Sequence, residues 1–304
     1  MKKVIIFLCL IFLNGCNSRE AIKNIDNIED KQYKTTMKQD ILSIMMAYPG
    51  YIVDIKVEND NVYLITKGNQ KIIYDHKTQK SDEEKLNNPS IKDVLEQIYP
   101  LNDIDTLPEQ NFNPGRVRLY SLLKEVYGHT KEQIESNLVN VKCGYRNYPF
   151  NSKNNAAKSL EKAMKEVSLL AEQSYHIRNC LYPISGTYNF RYIAGTNRLS
   201  PHAFGIAIDL ARDNRDYWKW ASREQGQARL SSYSKEIVRI FEKNNFIWGG
   251  KWGYFDILHF EYRPELIIKS RYFSKKESNG IWYEGVPLNE EIKKYIQLID
   301  SKLE

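Results

Sequence analysis

Five residues in the second half of the chain have the types and the spacing that a hydrolytic metal site needs. His202 and Asp209 lie on either side of Gly205, a residue that lets the chain turn sharply. His259 follows about fifty residues after Asp209 and offers a second imidazole. Two imidazoles and one carboxylate, with a fourth position left open for water, are a common ligand set of catalytic zinc. Asp256, three residues before His259, is placed to take a proton from that water and return it to a leaving amine.

The segment that leads to Asp209 predicts a strand. Residues between positions 206 and 211 alternate, and successive side chains of a strand point to opposite faces. One face carries Ile206, Ile208 and Leu210, which we expect to pack into a core. The other face carries Asp209 between two alanines, which leaves room for a metal ion and a substrate.

Other residues of the same types have simpler interpretations. A lone histidine is more often a core or surface group than a ligand. We interpret three histidines in that way: His76, His129 and His176. Glu261 is a rival to Asp256 as the base because, in an extended segment, it would share a face with His259. We favour Asp256 because an acid three residues before the histidine is familiar from zinc hydrolases.

Two motifs in the right order resemble a known family. The segment 200–209, SPHAFGIAID, resembles the S-x-H-x-x-G-x-A-x-D signature of the zinc D-alanyl-D-alanine carboxypeptidases. That family includes vancomycin-resistance dipeptidases and carboxypeptidases and phage L-alanyl-D-glutamate endopeptidases. The segments 248–252, WGGKW, and 256–261, DILHFE, resemble its second motif, and 188–191, YNFR, is similar to its upstream segment with a substrate-binding arginine.

The resemblance implies a role for each matched position. It implies zinc as the cofactor, with these ligands: His202, Asp209 and His259. Asp256 would be the general base, although several members of the family have Glu there and the endopeptidase-like members have Asp. Arg191 would stabilise the oxyanion or hold a substrate carboxylate, a role that suits a planar and permanently charged guanidinium. Ser200 would bind substrate or orient His202.

The resemblance also implies a fold and a substrate. The expected fold is α+β, with a small antiparallel sheet that carries the zinc site, helices packed on it as in the peptidase fold shared with hedgehog proteins, and a small β module before it. The expected reaction is amide hydrolysis in peptidoglycan stem peptides, at either the D-Ala-D-Ala or the L-Ala-D-Glu bond. Three alternatives stay open: a non-catalytic cell-wall-binding lipoprotein with this fold, a sensor with a structural zinc site, and an amidase that acts outside peptidoglycan.

The N-terminus predicts export. Lys2 and Lys3 precede an apolar run at 4–13 that is too short to span a bilayer, and the sequence LNGC at 13–16 resembles a bacterial lipobox. We therefore expect residues 1–15 to be a signal peptide and Cys16 to be lipidated, which would tether the protein to the outer face of a bacterial membrane. An ordinary cleaved signal with an incidental cysteine is the alternative.

The remaining cysteines and the composition fit an exported enzyme. Once Cys9 and Cys16 are accounted for, Cys143 and Cys180 remain, and we expect a disulfide between them, with two buried thiols as the alternative. Hydrophobic residues make up 42% and charged residues 27% of the chain, which is typical of a folded domain. The net charge of +6 is mild and, without a basic motif, does not predict nucleic-acid binding. The oligomeric state stays open.

Patterns along the chain predict its organisation. A polar tether is expected at 16–45, a β module with one helix at 46–110, the catalytic domain at 111–270 and an extension with an amphipathic helix at 271–304. Strands are predicted at 51–57, 61–67 and 71–75, and Ser90 should cap a helix that ends before Pro100. Within the catalytic domain, helices are predicted at 116–127, from Thr130, around 160–170, and from Ser231 or Ser232 to 244.

Overall fold

The fold comes from a computed structural model that describes residues 17–274 and 280–303, with the backbone alone described for 17–29. The expected signal peptide at 1–15 and the lipidation site at Cys16 lie outside the described residues. Helices and three small antiparallel sheets make up the protein, so the predicted α+β class is confirmed. Within the described ranges, no helix has both the length and the apolar character needed to cross a bilayer.

The first helix replaces much of the expected tether. Helix α1 covers Asn17–Ala47, and its C-terminal part carries buried apolar side chains at helical spacing. These are Met37, Ile41, Leu42, Ile44 and Met45. Buried Asp40 on the same helix forms an ion pair with Lys269 at 2.6 Å. The prediction of a tether up to residue 45 is therefore wrong, because the mainly polar composition of this segment hides an apolar stripe on one helical face.

The predicted meander is confirmed with small shifts at the strand ends. Strands β1 (Ile52–Glu58), β2 (Asn61–Thr66) and β3 (Lys71–Ile73) pair in antiparallel fashion in that order. Helices α2 (Asp82–Asn87) and α3 (Ile91–Leu95) follow. Ser90 caps α3 as predicted, but the helix ends well before Pro100.

The next region consists of a β-hairpin with two helices before it and two after it. Helices α4 (Tyr120–Tyr127) and α5 (Lys131–Ser136) precede strands β4 (Leu138–Cys143) and β5 (Arg146–Asn151), which pair with each other. Helices α6 (Ala156–Gln173) and α7 (Tyr175–Leu181) then complete this region. Helix α4 begins four residues later than predicted, so Arg116 and Arg118 lie in the irregular segment before it. The hairpin was not predicted.

A third sheet, with the strand order β6-β8-β7, lies in the region predicted to be the catalytic domain. It consists of β6 (Ala207–Asp209), β7 (Phe246–Trp248) and β8 (His259–Tyr262), all antiparallel. Helices α8 (Arg223–Ser231), α9 (Lys235–Lys243), α10 (Pro264–Phe273) and α11 (Glu290–Lys302) complete the described fold. The cap of α9 is Ser234 rather than Ser231 or Ser232, because α8 occupies the preceding residues. The predicted apolar face of α9 is buried as expected.

One hydrophobic cluster runs through the described residues from Met37 to Leu303. The last helix, α11, joins the N-terminal elements through ion pairs between Lys38 and Asp300 at 2.7 Å and between Lys302 and Asp54 at 3.1 Å. The C-terminal segment therefore packs against the N-terminal module. Apart from the end of the expected tether, the domain boundaries given above stay predictions.

The expected disulfide is not present. Cys143 ends strand β4 and Cys180 lies on α7, and both are free, buried thiols. Burial raises the pKa of Cys143 to about 12, so this thiol is an unreactive core group. The even number of cysteines in a chain expected to be exported indicated a bridge, but each side chain packs in the core without one.

If the C-terminal part of α1 belongs to the core, the Ile41→Ala variant should lose about 2–5 kcal/mol of unfolding free energy, because it leaves a cavity at a fully buried position. Chemical denaturation of the protein measures this loss. Thr36→Ala, at an exposed position of the same helix, is the matched control and should change stability by less than about 0.5 kcal/mol. Equal, small effects of the two substitutions would show that α1 is only a tether.

Candidate metal centre

The pairing of two strands places the first two candidate ligands opposite each other. Strand β6 pairs with β8 in a register that sets Asp209 across from His259. On its other side, Asp209 is paired with Gly186, so its backbone is fixed from both edges. The predicted strand is present but shorter than expected, at Ala207–Asp209. Ile206, Ile208 and Leu210 are fully buried as expected, and the two alanines on the opposite face are buried as well.

A single turn of 3-10 helix, Pro201–Phe204, positions His202. The hydroxyl of Ser200 caps this turn by accepting a hydrogen bond from the His202 amide at 3.3 Å. Gly205 ends the turn at a φ of +66°, which favours glycine, and a Cβ there would meet the Leu138 side chain at 2.6 Å. Ser200 is therefore placed to orient His202, one of the two roles expected for it.

The hydrogen bond at the far side of the His202 ring fixes its tautomer. Nδ1 of His202 lies 2.5 Å from the carbonyl oxygen of Thr187. Because a carbonyl only accepts, Nδ1 carries the proton of this hydrogen bond, and Nε2 is the nitrogen that faces the other two donor atoms. A second hydrogen bond of this kind is usual for histidines that bind metals.

Three donor atoms converge at the point where the sheet meets this turn. Nε2 of His202 lies 3.2 Å from Nδ1 of His259 and 3.2 Å from Oδ1 of Asp209. Nδ1 of His259 and Oδ1 of Asp209 are 2.8 Å apart. Ligand bonds of about 2.0–2.1 Å around a tetrahedral zinc ion place the donor atoms roughly 3.3–3.4 Å apart. The two separations of 3.2 Å are close to the edge of such a tetrahedron, and the third, a hydrogen bond of 2.8 Å, is shorter. His202, Asp209 and His259 can therefore hold a metal ion, and their N, N, O donor set suits zinc.

A buried carboxylate lies next to the ring nitrogen of His259 that faces away from Asp209. Glu261 is fully buried and its Oε2 lies 3.8 Å from Nε2 of His259. Arg118 donates two hydrogen bonds to it, at 2.8 and 2.6 Å, and Arg263 lies 3.3 Å from it. Although burial opposes ionisation, the charge and hydrogen bonds of Arg118, with Arg263 and His259, hold the pKa of Glu261 well below its usual range.

These contacts separate the two rival bases. Glu261 shares a face with His259 as predicted, but its oxygens are engaged with two arginines, so it is a poor proton acceptor. Asp256 is partly buried, and among the described residues its carboxylate has no hydrogen-bond partner. Burial raises the pKa of Asp256 to about 7. The negative charge of Asp209 adds to this rise, and the charge of His259 opposes it. A carboxyl group with a pKa near neutrality is suited to accept and return a proton.

The backbone holds Asp256 beside the ligands. Its amide donates to the Gly249 carbonyl at 2.9 Å, and its carbonyl accepts from the His259 amide at 3.1 Å. A Cβ at Gly249 would lie 2.5 Å from the Asp256 carbonyl oxygen, so this approach depends on glycine. The WGGKW segment therefore positions the acid that follows it.

Aromatic and cationic side chains surround the centre. The Trp252 ring lies 5.8 Å from the His259 ring, and Tyr217 is bridged to Asp256 through the backbone. The guanidinium of Arg116 lies over Trp252 at 5.8 Å. Burial raises the pKa of Tyr217, and the positive charge of Arg191 offsets part of that rise. Arg191 itself is exposed.

The structure brings together the three predicted ligands, Ser200 and Asp256. The histidines interpreted as structural, at positions 76, 129 and 176, are not part of the metal cluster. Sequence reasoning missed Thr187, whose contribution is a backbone carbonyl, and Arg118, whose partner is distant in sequence. The one available signal was a pair of arginines directly after Pro114 and Gly115.

Comparisons with known proteins agree with this centre. Residues 194–262 match a family model described as D-alanyl-D-alanine carboxypeptidase, in peptidase family M15. This segment includes the three donor residues and Asp256, while Arg191 lies just before it. The match broadly supports the family indicated by the motifs and thus a peptidase. No curated protein and no solved structure matched the chain.

Metal binding should release a proton. In the metal-free protein, burial lowers the pKa of His259, but hydrogen bonds to Asp209 and Glu261 outweigh it and raise the pKa to about 10. His259 is then protonated at pH 7.5 and must lose that proton before Nδ1 can bind zinc. We expect calorimetry of zinc binding, in buffers of different ionisation enthalpy, to show about one proton released from this residue per ion, and affinity to increase with pH between 7 and 9.

The control for this measurement is His76→Ala, which should bind zinc as the unchanged protein does, whereas His202→Ala should lose binding. Zinc affinity that is independent of pH across this range would contradict the role of His259.

Proposed function

We propose that this protein is a zinc-dependent peptidase that hydrolyses peptidoglycan stem peptides. The convergence of the donor atoms of His202, Asp209 and His259, next to an acid with a raised pKa, supports the proposal most directly. The broader assignment, a peptidase, has support from the matched family model.

The number of ligands favours a catalytic over a structural ion. Structural zinc sites are usually closed by four protein ligands, whereas catalytic sites keep one position open. In the described parts of the chain, three residues form the cluster. A binding module or a sensor would need neither the open position nor an unpaired acid beside it.

Zinc, when bound, would polarise the scissile carbonyl and lower the pKa of a water molecule. The carboxylate of Asp256 would accept a proton and later deliver it to the leaving amine, since no arginine or lysine neutralises it through an ion pair in the described residues. Arg191 is exposed, and its carbonyl accepts a hydrogen bond from the Ser200 amide at 3.0 Å. Its guanidinium would stabilise negative charge on the carbonyl oxygen. Ser200 and Thr187 would keep the His202 ring in the required orientation and tautomer.

The fold and the location belong to the same proposal. The small antiparallel sheet with helices behind it is the arrangement expected for this peptidase family. Cleavage before Cys16 and lipidation of its thiol would place the enzyme on the outer face of a bacterial membrane, close to peptidoglycan. Incorporation of a radiolabelled lipid into the protein would test the anchor, and the label should be absent from the Cys16→Ser variant.

Substitution of the two acids should give different defects. Asp256→Asn should keep one zinc ion per chain and lose roughly 10²–10⁴-fold in kcat, because only proton transfer is removed. Glu261→Gln should lower zinc affinity by about 10–100-fold, yet keep kcat once zinc is saturating, because it acts through His259. Mass spectrometry of a pentapeptide stem ending in D-Ala-D-Ala, and of a stem with the L-Ala-D-Glu bond, gives the rates.

Asp213→Asn, at an acid that is paired with Arg215, is the matched control and should keep both zinc and activity. A fully active Asp256→Asn enzyme would exclude Asp256 as the base. If the zinc-loaded protein cleaves neither the D-Ala-D-Ala bond nor the L-Ala-D-Glu bond, the proposed function is contradicted.

A further inference from the structure

Two partly buried arginines, on segments that adjoin the candidate metal centre, differ from the buried arginines of the described chain. Arg118, Arg229 and Arg263 each form an ion pair with a buried carboxylate. Arg116 and Arg198 are partly buried and form no ion pair with any described residue. A desolvated cation without a counter-charge is unfavourable unless a ligand supplies that charge.

Arg198 is the clearer of the two cases. Its Nε is buried and has no hydrogen-bond partner within the described protein. Burial lowers its pKa, with Arg118 adding to that effect and Tyr120 and Glu83 opposing it. Glu83, on helix α2, acts on it only at a distance, because the two form no ion pair. An unpaired donor of this kind is uncommon in a folded protein and indicates a missing acceptor.

Both arginines are attached to elements that build the metal centre. Arg198 lies two residues before Ser200, and its carbonyl accepts from the Ile193 amide at 2.8 Å. Arg116 donates to the Tyr254 carbonyl at 3.1 Å and lies 5.2 Å from the Tyr254 ring, two residues before Asp256. Arg116 is also close enough to Asp256 and Arg198 for both charges to influence its pKa, although burial has the largest effect.

The chemistry of stem peptides supplies a matching anion. In a D-Ala-D-Ala terminus, the residue whose amine leaves carries a free α-carboxylate. In the L-Ala-D-Glu bond, the D-Glu continues the peptide through its side chain, so its α-carboxylate is also free next to the leaving amine. Either substrate therefore places a carboxylate a few bonds from the atom that receives the proton from Asp256.

We infer that Arg116 and Arg198 bind the free α-carboxylate of the residue whose amine leaves, and so determine specificity. This inference rests on the proposed peptidase function and names the substrate group that the centre selects. It leaves Arg191 for the carbonyl oxygen. The ligand class is a peptide with an α-carboxylate directly after the scissile bond, at a chain end or on γ-linked glutamate.

Amidation of that carboxylate tests the inference. Each stem peptide is compared with its amide: acetyl-L-Lys-D-Ala-D-Ala with its C-terminal amide, and L-Ala-γ-D-Glu-L-Lys with its D-isoglutamine form. We expect the zinc-loaded protein to prefer the acid of the cleaved pair roughly 10–100-fold in kcat/KM, as for loss of a hydrogen bond to a charged group. Arg198→Gln and Arg116→Gln should reduce this preference towards one by slowing cleavage of the acid alone.

Arg146→Gln, at an exposed position of the β4–β5 hairpin, is the matched control and should keep the preference. Zinc content and melting temperature show that each variant is folded. Equal cleavage of acid and amide by the unchanged protein would overturn the inference while leaving the peptidase in place.

A binding measurement separates this inference from the proposed function. Nuclear magnetic resonance titration of the zinc-free protein with D-Ala-D-Ala, L-Ala-γ-D-Glu and their amides requires no turnover. Selective binding of an acid, lost in Arg198→Gln, would support the arginine site even if no peptide were cleaved. Equal binding of acids and amides would overturn it.

Discussion

The buried ion-pair network of Glu261 with Arg118 and Arg263 is the interaction on which the candidate metal centre depends. A fully buried carboxylate is tolerated because two arginines compensate its charge, and it faces the ring of His259. The network ties strand β8 to the segment before α4 and sets which nitrogen of His259 meets Asp209. Arg118 and Arg263 thus position His259 through Glu261, without contacting His259 themselves.

The strand register and the capped turn at Ser200 position the other two donor residues, Asp209 and His202. The register between β6 and β8 places Asp209 against His259, and the capped turn at Ser200 brings Nε2 of His202 to the same point. Rigid backbone elements therefore carry all three donors, as a pre-organised metal site needs. The acid lies on a loop that close packing at Gly249 holds in place.

The local patterns predicted which donor residues converge, because residue type and spacing are local features of the sequence. Alternation around Asp209, the turn at Gly205 and the histidine after Asp256 are all local features, and the structure places them together. The failures concern interactions between distant residues. The apolar stripe of α1 is meaningful only once its partners in α10 are known, the free state of Cys143 depends on packing, and the pairing of Arg118 with Glu261 joins residues far apart in sequence. The preceding helix α8 likewise moved the cap of α9 to Ser234.

X-ray absorption spectroscopy of the zinc-loaded protein tests the central claim most directly. The account predicts a four-coordinate ion with nitrogen and oxygen donors at about 2.0–2.1 Å, of which two are imidazoles, and no sulfur shell. In His202→Ala, one imidazole contribution should disappear. A six-coordinate shell of oxygen atoms, or a sulfur shell near 2.3 Å, would contradict the assignment of His202, Asp209 and His259 as the ligands of a catalytic zinc ion.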